Sequence, residues 1–168
     1  MEPWHLLNEA APERACELLR GCCGSERWVG RMAARRPFPG IDDLLTAARD
    51  EWLALAEQDW LEAFRHHPKI GDRESLRRRF PATHHLSSRE QAGVDGAGGD
   101  VLDALAAKNE AYERKFGFIF IVCATGRNAA GMLALLEARL GNDRATELQN
   151  AASEQAKITE LRLRSLGS

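Results

Sequence analysis

"GFIFIVCA", residues 117–124, is the stretch on which the fold turns. Its β-branched and aromatic content suits a buried strand. No second stretch stands out to pair with it, and a lone strand cannot satisfy its own backbone donors and acceptors. The segment is therefore expected to be a buried extended link, or an apolar helix turn, inside an all-α fold.

On both sides of it the pattern is helical. VLDALAAKNEAYERKF precedes it, and TGRNAAGMLALLEARL, with Thr125 as the expected N-cap, follows. NDRATELQNAASEQAKITELRLRSL predicts a further long helix. Toward the N-terminus, Pro12 and ERACELLRGCCG predict a helix that stops at the glycines, and SERWVGRMAARRPF a short helix running into a proline-fixed turn. Asp42 or Asp43 is expected to start the helix through LLTAARDEWLAL, and QDWLEAFRH adds another. The glycine-rich GVDGAGGD, residues 93–100, has no lysine of a phosphate-cradling loop and no strand before it, so it reads as a flexible spacer. The whole, residues 1–168, is expected to be a single-domain helical bundle of roughly seven to nine helices.

Bulk properties narrow the function. The chain has 168 residues, 23 Lys and Arg against 25 Asp and Glu, and a formal net charge of -2. A near-neutral balance argues against a nucleic-acid binder, which needs a concentrated positive surface. Arg35–Arg36 and Arg77–Arg79 are local clusters that read as solvated faces. No apolar run reaches the ~20 residues that span a bilayer, and MEPWHLLNEAAPE lacks the flank and core of a signal peptide. The ending SLGS is not a peroxisomal S-K-L signal. A cytoplasmic protein is expected. Cys16, Cys22, Cys23 and Cys123 form no paired zinc spacing and read as buried or idle thiols.

Three features could carry chemistry. In "HHPKIGD", residues 66–72, Pro68 disfavours helical geometry at His67, so this imidazole should project from a stiff corner. "SSREQ", residues 87–91, has capping-box spacing, with Ser87 as N-cap and Glu90 reaching back. The same geometry could instead aim the Glu90 carboxylate and the free amides of a helix start into a pocket. On the last helix, at about 100° per residue, Gln155 and Arg162 fall on the side of Leu148, Ala151, Ala152, Ile158 and Leu166. A guanidinium there must be paired, reach a water-filled cleft, or snorkel outward. His66, His67, His84, His85 and Asp72 show no regular ligand spacing, and no metal site is expected. No signature of covalent hydrolysis or of a cofactor fold is present.

Taken together, WVGRMAARRPF (28–38), HHPKIGD (66–72), SSREQAGV (87–94), LAAKNEAYERKFGFIFIVCATGR (105–127) and EQAKITELRL (154–163) make the chain resemble the 2-oxo-4-hydroxy-4-carboxy-5-ureidoimidazoline (OHCU) decarboxylases of urate breakdown. The resemblance implies a cofactor-free, all-helical enzyme, usually a homodimer, that converts OHCU to (S)-allantoin with loss of carbon dioxide. It implies a catalytic pair, His67 from the H-P motif and Glu90 from S-x-x-E-Q, with Arg162 from K-I-x-x-x-R-L holding substrate oxygens. Pro68 would border the pocket. Ser87, Ser88, Arg89, Glu90 and Gln91, and the segment Phe118, Ile119, Phe120, Ile121 and Val122, would contact the ring and ureido group, partly through backbone atoms. Some members read F-G-F-P-F, whereas Ile119 stands here in place of the proline and keeps an amide hydrogen that proline lacks. The implied substrate is a small molecule, with no nucleic-acid or membrane partner. A helical protein-binding module, or hydrolysis of a related cyclic ureide, remains open from the residues alone.

Overall fold

A computed structural model describes residues 1–68 and 88–168, with residues 88–99 described in their backbone only. Among the described residues there are eight helices: α1 (Pro3–Glu9), α2 (Pro12–Cys22), α3 (Glu26–Ala34), α4 (Ile41–Leu53), α5 (Glu57–Arg65), α6 (Ser88–Phe116), α7 (Ala129–Leu140) and α8 (Arg144–Arg164). The described residues contain no strand, and the fold is all-α as expected. No helix among them is long and apolar enough to cross a membrane.

Local chemistry sets the boundaries. Pro3 and Pro12 occupy the first turns of α1 and α2, where a missing amide hydrogen costs nothing. The buried Ser25 hydroxyl accepts from Trp28 N at 3.2 Å and caps α3. Asp42 and Asp43 lie in the first turn of α4 rather than at its cap, which is Gly40. Helix α6 stops where Gly117 takes φ of 81°, a left-handed conformation that glycine adopts without a Cβ penalty.

Two expectations are corrected. GVDGAGGD lies within α6 rather than in a spacer. Glycine costs about 1 kcal/mol in a helix relative to alanine, but it does not forbid one, and VLDALAAKNEA on its C-terminal side is strongly helix-forming. The cap of α7 is Asn128, not Thr125: Asn128 Oδ1 accepts from Gly131 N at 2.7 Å. Thr125 precedes a turn at Gly126, whose φ is 77°.

The contacts divide the chain into two compact units. The first comprises residues 1–67, 121–123 and 149–168. In it α2 packs on α3, and α3 packs on α4 and α5. Its core includes Leu7, Leu19, Trp28, Met32, Leu44 and Phe64. Buried indoles need partners for their N–H groups, and here each finds a carbonyl: Trp28 that of Ala48 at 3.0 Å, Trp52 that of Ala152 at 2.9 Å, and Trp60 that of Trp52 at 2.9 Å. Arg36 is more than a solvated charge, because its Nη1 donates to Leu7 O and Ala10 O at 2.6 and 2.8 Å and satisfies carbonyls at the end of α1.

The second unit comprises residues 68–120 and 124–148. In it α6 packs on α7, and Tyr112, Phe116, Phe118 and Phe120 form an aromatic cluster. Buried beside them, Arg139 Nε donates to Glu147 Oε1 at 2.7 Å, Tyr112 Oη to the same oxygen at 2.6 Å, and Asn142 Nδ2 to Glu147 Oε2 at 2.9 Å. Burial and the neighbouring carboxylate raise the Tyr112 phenol well above its ordinary value. The charge pair is sustained by hydrogen bonds on both carboxylate oxygens, and the Arg139 guanidinium also lies over the Phe120 ring at 4.6 Å.

The stretch that decided the fold is a buried extended link. Residues 119–124 have neither helix nor strand, and Phe118, Phe120, Ile121 and Val122 are buried.

Candidate active site

The geometry of the first unit centres on the corner after α5. That helix ends at Arg65, and the amides of His66 and His67 still donate to Ala63 O and Phe64 O, both at 3.2 Å. Pro68 then blocks further helix. The two imidazoles diverge. His66 packs so closely over Gly24 that a Cβ added there would lie 2.5 Å from the ring. His67, half-buried, meets the Oε1 of Gln155 on α8 through its Nε2.

Gln155 is 1% exposed, and its Nε2 donates to Thr159 Oγ1 at 3.0 Å. Thr159, itself buried, lies beside the Cys23 thiol. A chain of polar contacts thus runs from the imidazole into the core. Cys23 ends it, with Cys22 buried beside it: burial pushes Cys22 up to about 12 and Cys23 up to about 11, although the nearby Arg162 charge pulls both the other way. They are idle at neutral pH, as expected for thiols in an apolar setting.

Arg162 is both exposed and paired. Periodicity puts it on the stripe of Gln155 and Thr159, yet its residue is exposed. It lies in the last turn of α8, between Leu161, which is 43% exposed, and the fully buried Leu163. Its Nη1 donates to Cys22 O at 3.4 Å, a carbonyl at the C-terminus of α2 where cations are favoured. The guanidinium borders an open cavity of about 400 Å³ with Glu17, Gly21, Cys22 and Ser165.

The remaining candidates are distributed as follows. Pro68 is exposed. Ser88, Arg89, Glu90 and Gln91 form the first turn of α6, with only their backbone described. Ser87 lies outside the described residues, as do His84, His85, Asp72 and the Arg77–Arg79 run. Phe118 and Phe120 spend their rings on the aromatic cluster of the second unit, while Ile119 between them is half-buried. Ile121 and Val122 are buried in the first unit, where the following residue, Cys123, donates its amide to Glu154 Oε1 at 3.4 Å. Among the described residues no three His, Cys, Asp or Glu side chains gather where they could hold a metal. Thr159 was not among the sequence candidates, and Gln155 was noted only for its place on the apolar stripe, with no role assigned. The signal was available, since a polar residue on an apolar helical stripe requires a partner.

The family model for OHCU decarboxylase matches residues 8–164. The chain belongs to the OHCU decarboxylase family. Among curated relatives, the uric acid degradation bifunctional protein TTL of Arabidopsis thaliana is 40% identical over 148 residues, which cover 88% of this chain and 45% of that protein. The chain thus spans less than half of the plant relative. An OHCU decarboxylase from Halalkalicoccus jeotgali is 29% identical over 161 residues, covering 95% of this chain and 89% of that one. Among solved structures, a crystal structure of OHCU decarboxylase in the presence of (S)-allantoin aligns with a TM-score of 0.72 and 37% identity, over 94% of this chain and 98% of the other. The OHCU decarboxylase family thereby accounts for the fold across nearly the whole sequence.

Proposed function

We propose that this chain decarboxylates OHCU to (S)-allantoin without a cofactor. The observation that carries the reading is the family match across residues 8–164, which takes in residues of both units and so supports one OHCU decarboxylase-like domain over 1–168.

The substrate chemistry needs few tools. When the C4–carboxylate bond breaks, its electron pair moves toward the adjacent C=N group of the ring, so the substrate is its own electron sink. Two proton movements remain. The 4-hydroxyl must lose its proton as C4 becomes a carbonyl, and C5 must gain one to become the new stereocentre.

His67 takes the first role, as an imidazole held at a proline corner and gripped from α8. Glu90, in the first turn of α6, positions the ring and delivers the second proton, although the two residues could share or exchange these tasks. Arg162 offers a fork of donors to the carboxylate or carbonyl oxygens. Its exposure beside an open cavity suits a group that meets a ligand from solvent. Pro68 and the backbone of Ser87 to Gln91 and of Phe118 to Val122 line the substrate. Because the rings of Phe118 and Phe120 are engaged in the aromatic cluster, the amide of Ile119 is the contact this chain gains over members with proline there. The same reading gives a cytoplasmic homodimer, tested by light scattering of the purified protein.

The test of the function is decay of freshly generated OHCU in metal-free buffer, followed by ultraviolet absorbance and by optical rotation of the allantoin formed. Wild type should accelerate decay to one enantiomer, and His67→Ala should lower the rate by about 10²–10⁴-fold, the usual range for a lost acid–base group. Racemic product at the uncatalysed rate with folded wild type would sink the reading.

A further inference from the structure

We propose that Arg144 is a positioning residue for the substrate: it staples the two sides of Gly117, so that the backbone of Phe118 to Phe120 meets OHCU in one fixed direction. The inference deepens the decarboxylase reading and rests on it, because that reading gives this stretch of backbone a substrate to meet.

Gly117 is where the chain is free to turn. Its φ of 81° ends α6, and glycine enters and leaves that conformation without the Cβ penalty that restrains other residues. Phe118 to Phe120 then lie in neither helix nor strand, so regular backbone hydrogen bonding does not set their direction. Side chains do so instead. Arg144, the first residue of α8, reaches both flanks of the glycine: its Nε donates to Phe116 O at 3.2 Å, and its guanidinium lies 5.7 Å from the centre of the Phe118 ring. The Phe116 and Phe118 rings stack with centroids 6.1 Å apart, and both pack on Tyr112.

The place of the charge supports this role. A cation in the first turn of a helix opposes the helix dipole, and Arg144 has that place in α8, where the Asp143 carboxylate beside it offsets part of the cost. Phe116 is the last residue of α6, and its carbonyl is one of those that find no partner within their own helix. The guanidinium is therefore disfavoured at the helix that carries it and favoured at the helix end that it touches. Lysine, a point charge on a flexible stem, could serve the carbonyl or the ring but not both. Arg144 is exposed, unlike the buried Arg139, so replacing it tests the staple without opening the core.

Two measurements on the full chain test the proposal. Hydrogen exchange on the free protein should show the amides of residues 117–120 exchanging at least about tenfold faster in Arg144→Ala than in wild type, with α2 to α4 unchanged. In OHCU turnover the same variant should raise KM by about tenfold and keep kcat within about threefold, since contacts to the ring and ureido group hold substrate and transition state alike. A general loss of stability would instead lower the active fraction, and with it kcat, while leaving KM in place. Phe118→Leu removes the ring that Arg144 covers, so the double variant should raise KM little beyond Phe118→Leu alone. Wild-type KM in Arg144→Ala, wild-type exchange at 117–120, or KM effects that multiply in the double variant overturn the proposal. Should Arg144→Ala fail to fold, Arg144→Lys decides in its place, with KM expected to rise by at least about threefold. Failure of the decarboxylase reading looks different: faster exchange at 117–120 in the variant, and no acceleration of OHCU decay by wild type.

Discussion

Two polar clusters sit in apolar surroundings, one in each unit. Arg139, Glu147, Tyr112 and Asn142 hydrogen-bond one another, and the charged pair is 6% and 0% exposed. His67, Gln155, Thr159 and Cys23 form a line instead of a knot, buried at the sulfur and half-exposed at the imidazole. The difference separates two uses of a buried polar group. A cluster built around a buried ion pair fixes structure. A line that ends at a half-exposed imidazole ties that group to the core while leaving it partly in solvent.

The largest expected effect is on the closed cluster. Glu147→Ala strands the Arg139 guanidinium away from water, and urea unfolding should show a loss of about 3–5 kcal/mol. A loss under about 1 kcal/mol would mean that water enters the cluster, and the contrast with the His67 line would collapse. Gly24→Ala probes that line at its corner. The added methyl would press on the His66 ring, so stability should fall by about 1–3 kcal/mol while OHCU turnover falls by about tenfold, because His67 is the next residue. Turnover that drops no more than unfolding accounts for would show that the His66 packing does not steer His67.

The smallest effect is alkaline. Cys22 and Cys23 prefer the neutral form in the folded state, so their contribution to stability is complete below their ordinary value of 9.0 and is lost as pH rises toward about 11 and 12. Tyr112, also shifted upward, adds loss of the same sign from the other unit, beginning at its ordinary value of 10.0. Melting temperature should fall by roughly 5 °C between pH 9 and 10.5, and Cys22→Ala with Cys23→Ala should remove the earlier part of that fall while Tyr112→Phe removes the later part. Identical profiles for both variants would indicate that neither buried group governs the slope.

Much of this was legible in the residues. An unpaired apolar stretch at 117–124 argued for an all-α fold, and it is a buried link; Pro12 and the run beginning at Ser25 marked helix starts that the structure keeps, whereas α1 was not read from the sequence. His67 was recognisable because a proline stiffens its neighbour. Periodicity placed Arg162 on the stripe of Gln155 but left open whether its guanidinium would be paired, reach a cleft or snorkel outward, because an angle about the axis does not say how far a long side chain extends. Gln155 was visible as a polar residue on an apolar stripe, yet its partner lies 88 residues away, and no local rule reports such a distance. GVDGAGGD misled because glycine content measures the cost of a helix, while the outcome also depends on the strong helix formers beside it.

The bond from Trp52 to Ala152 spans 100 residues, and that from Arg162 to Cys22 spans 140. During synthesis, therefore, α1 to α5 leave the ribosome with the Trp52 indole N–H still lacking its native acceptor and the face that receives α8 uncovered. The first unit reaches its final state only after α8 has been made, although most of its sequence is translated first. A nascent chain arrested before residue 149 should engage chaperones through that face, and it would lack both Gln155 and Arg162.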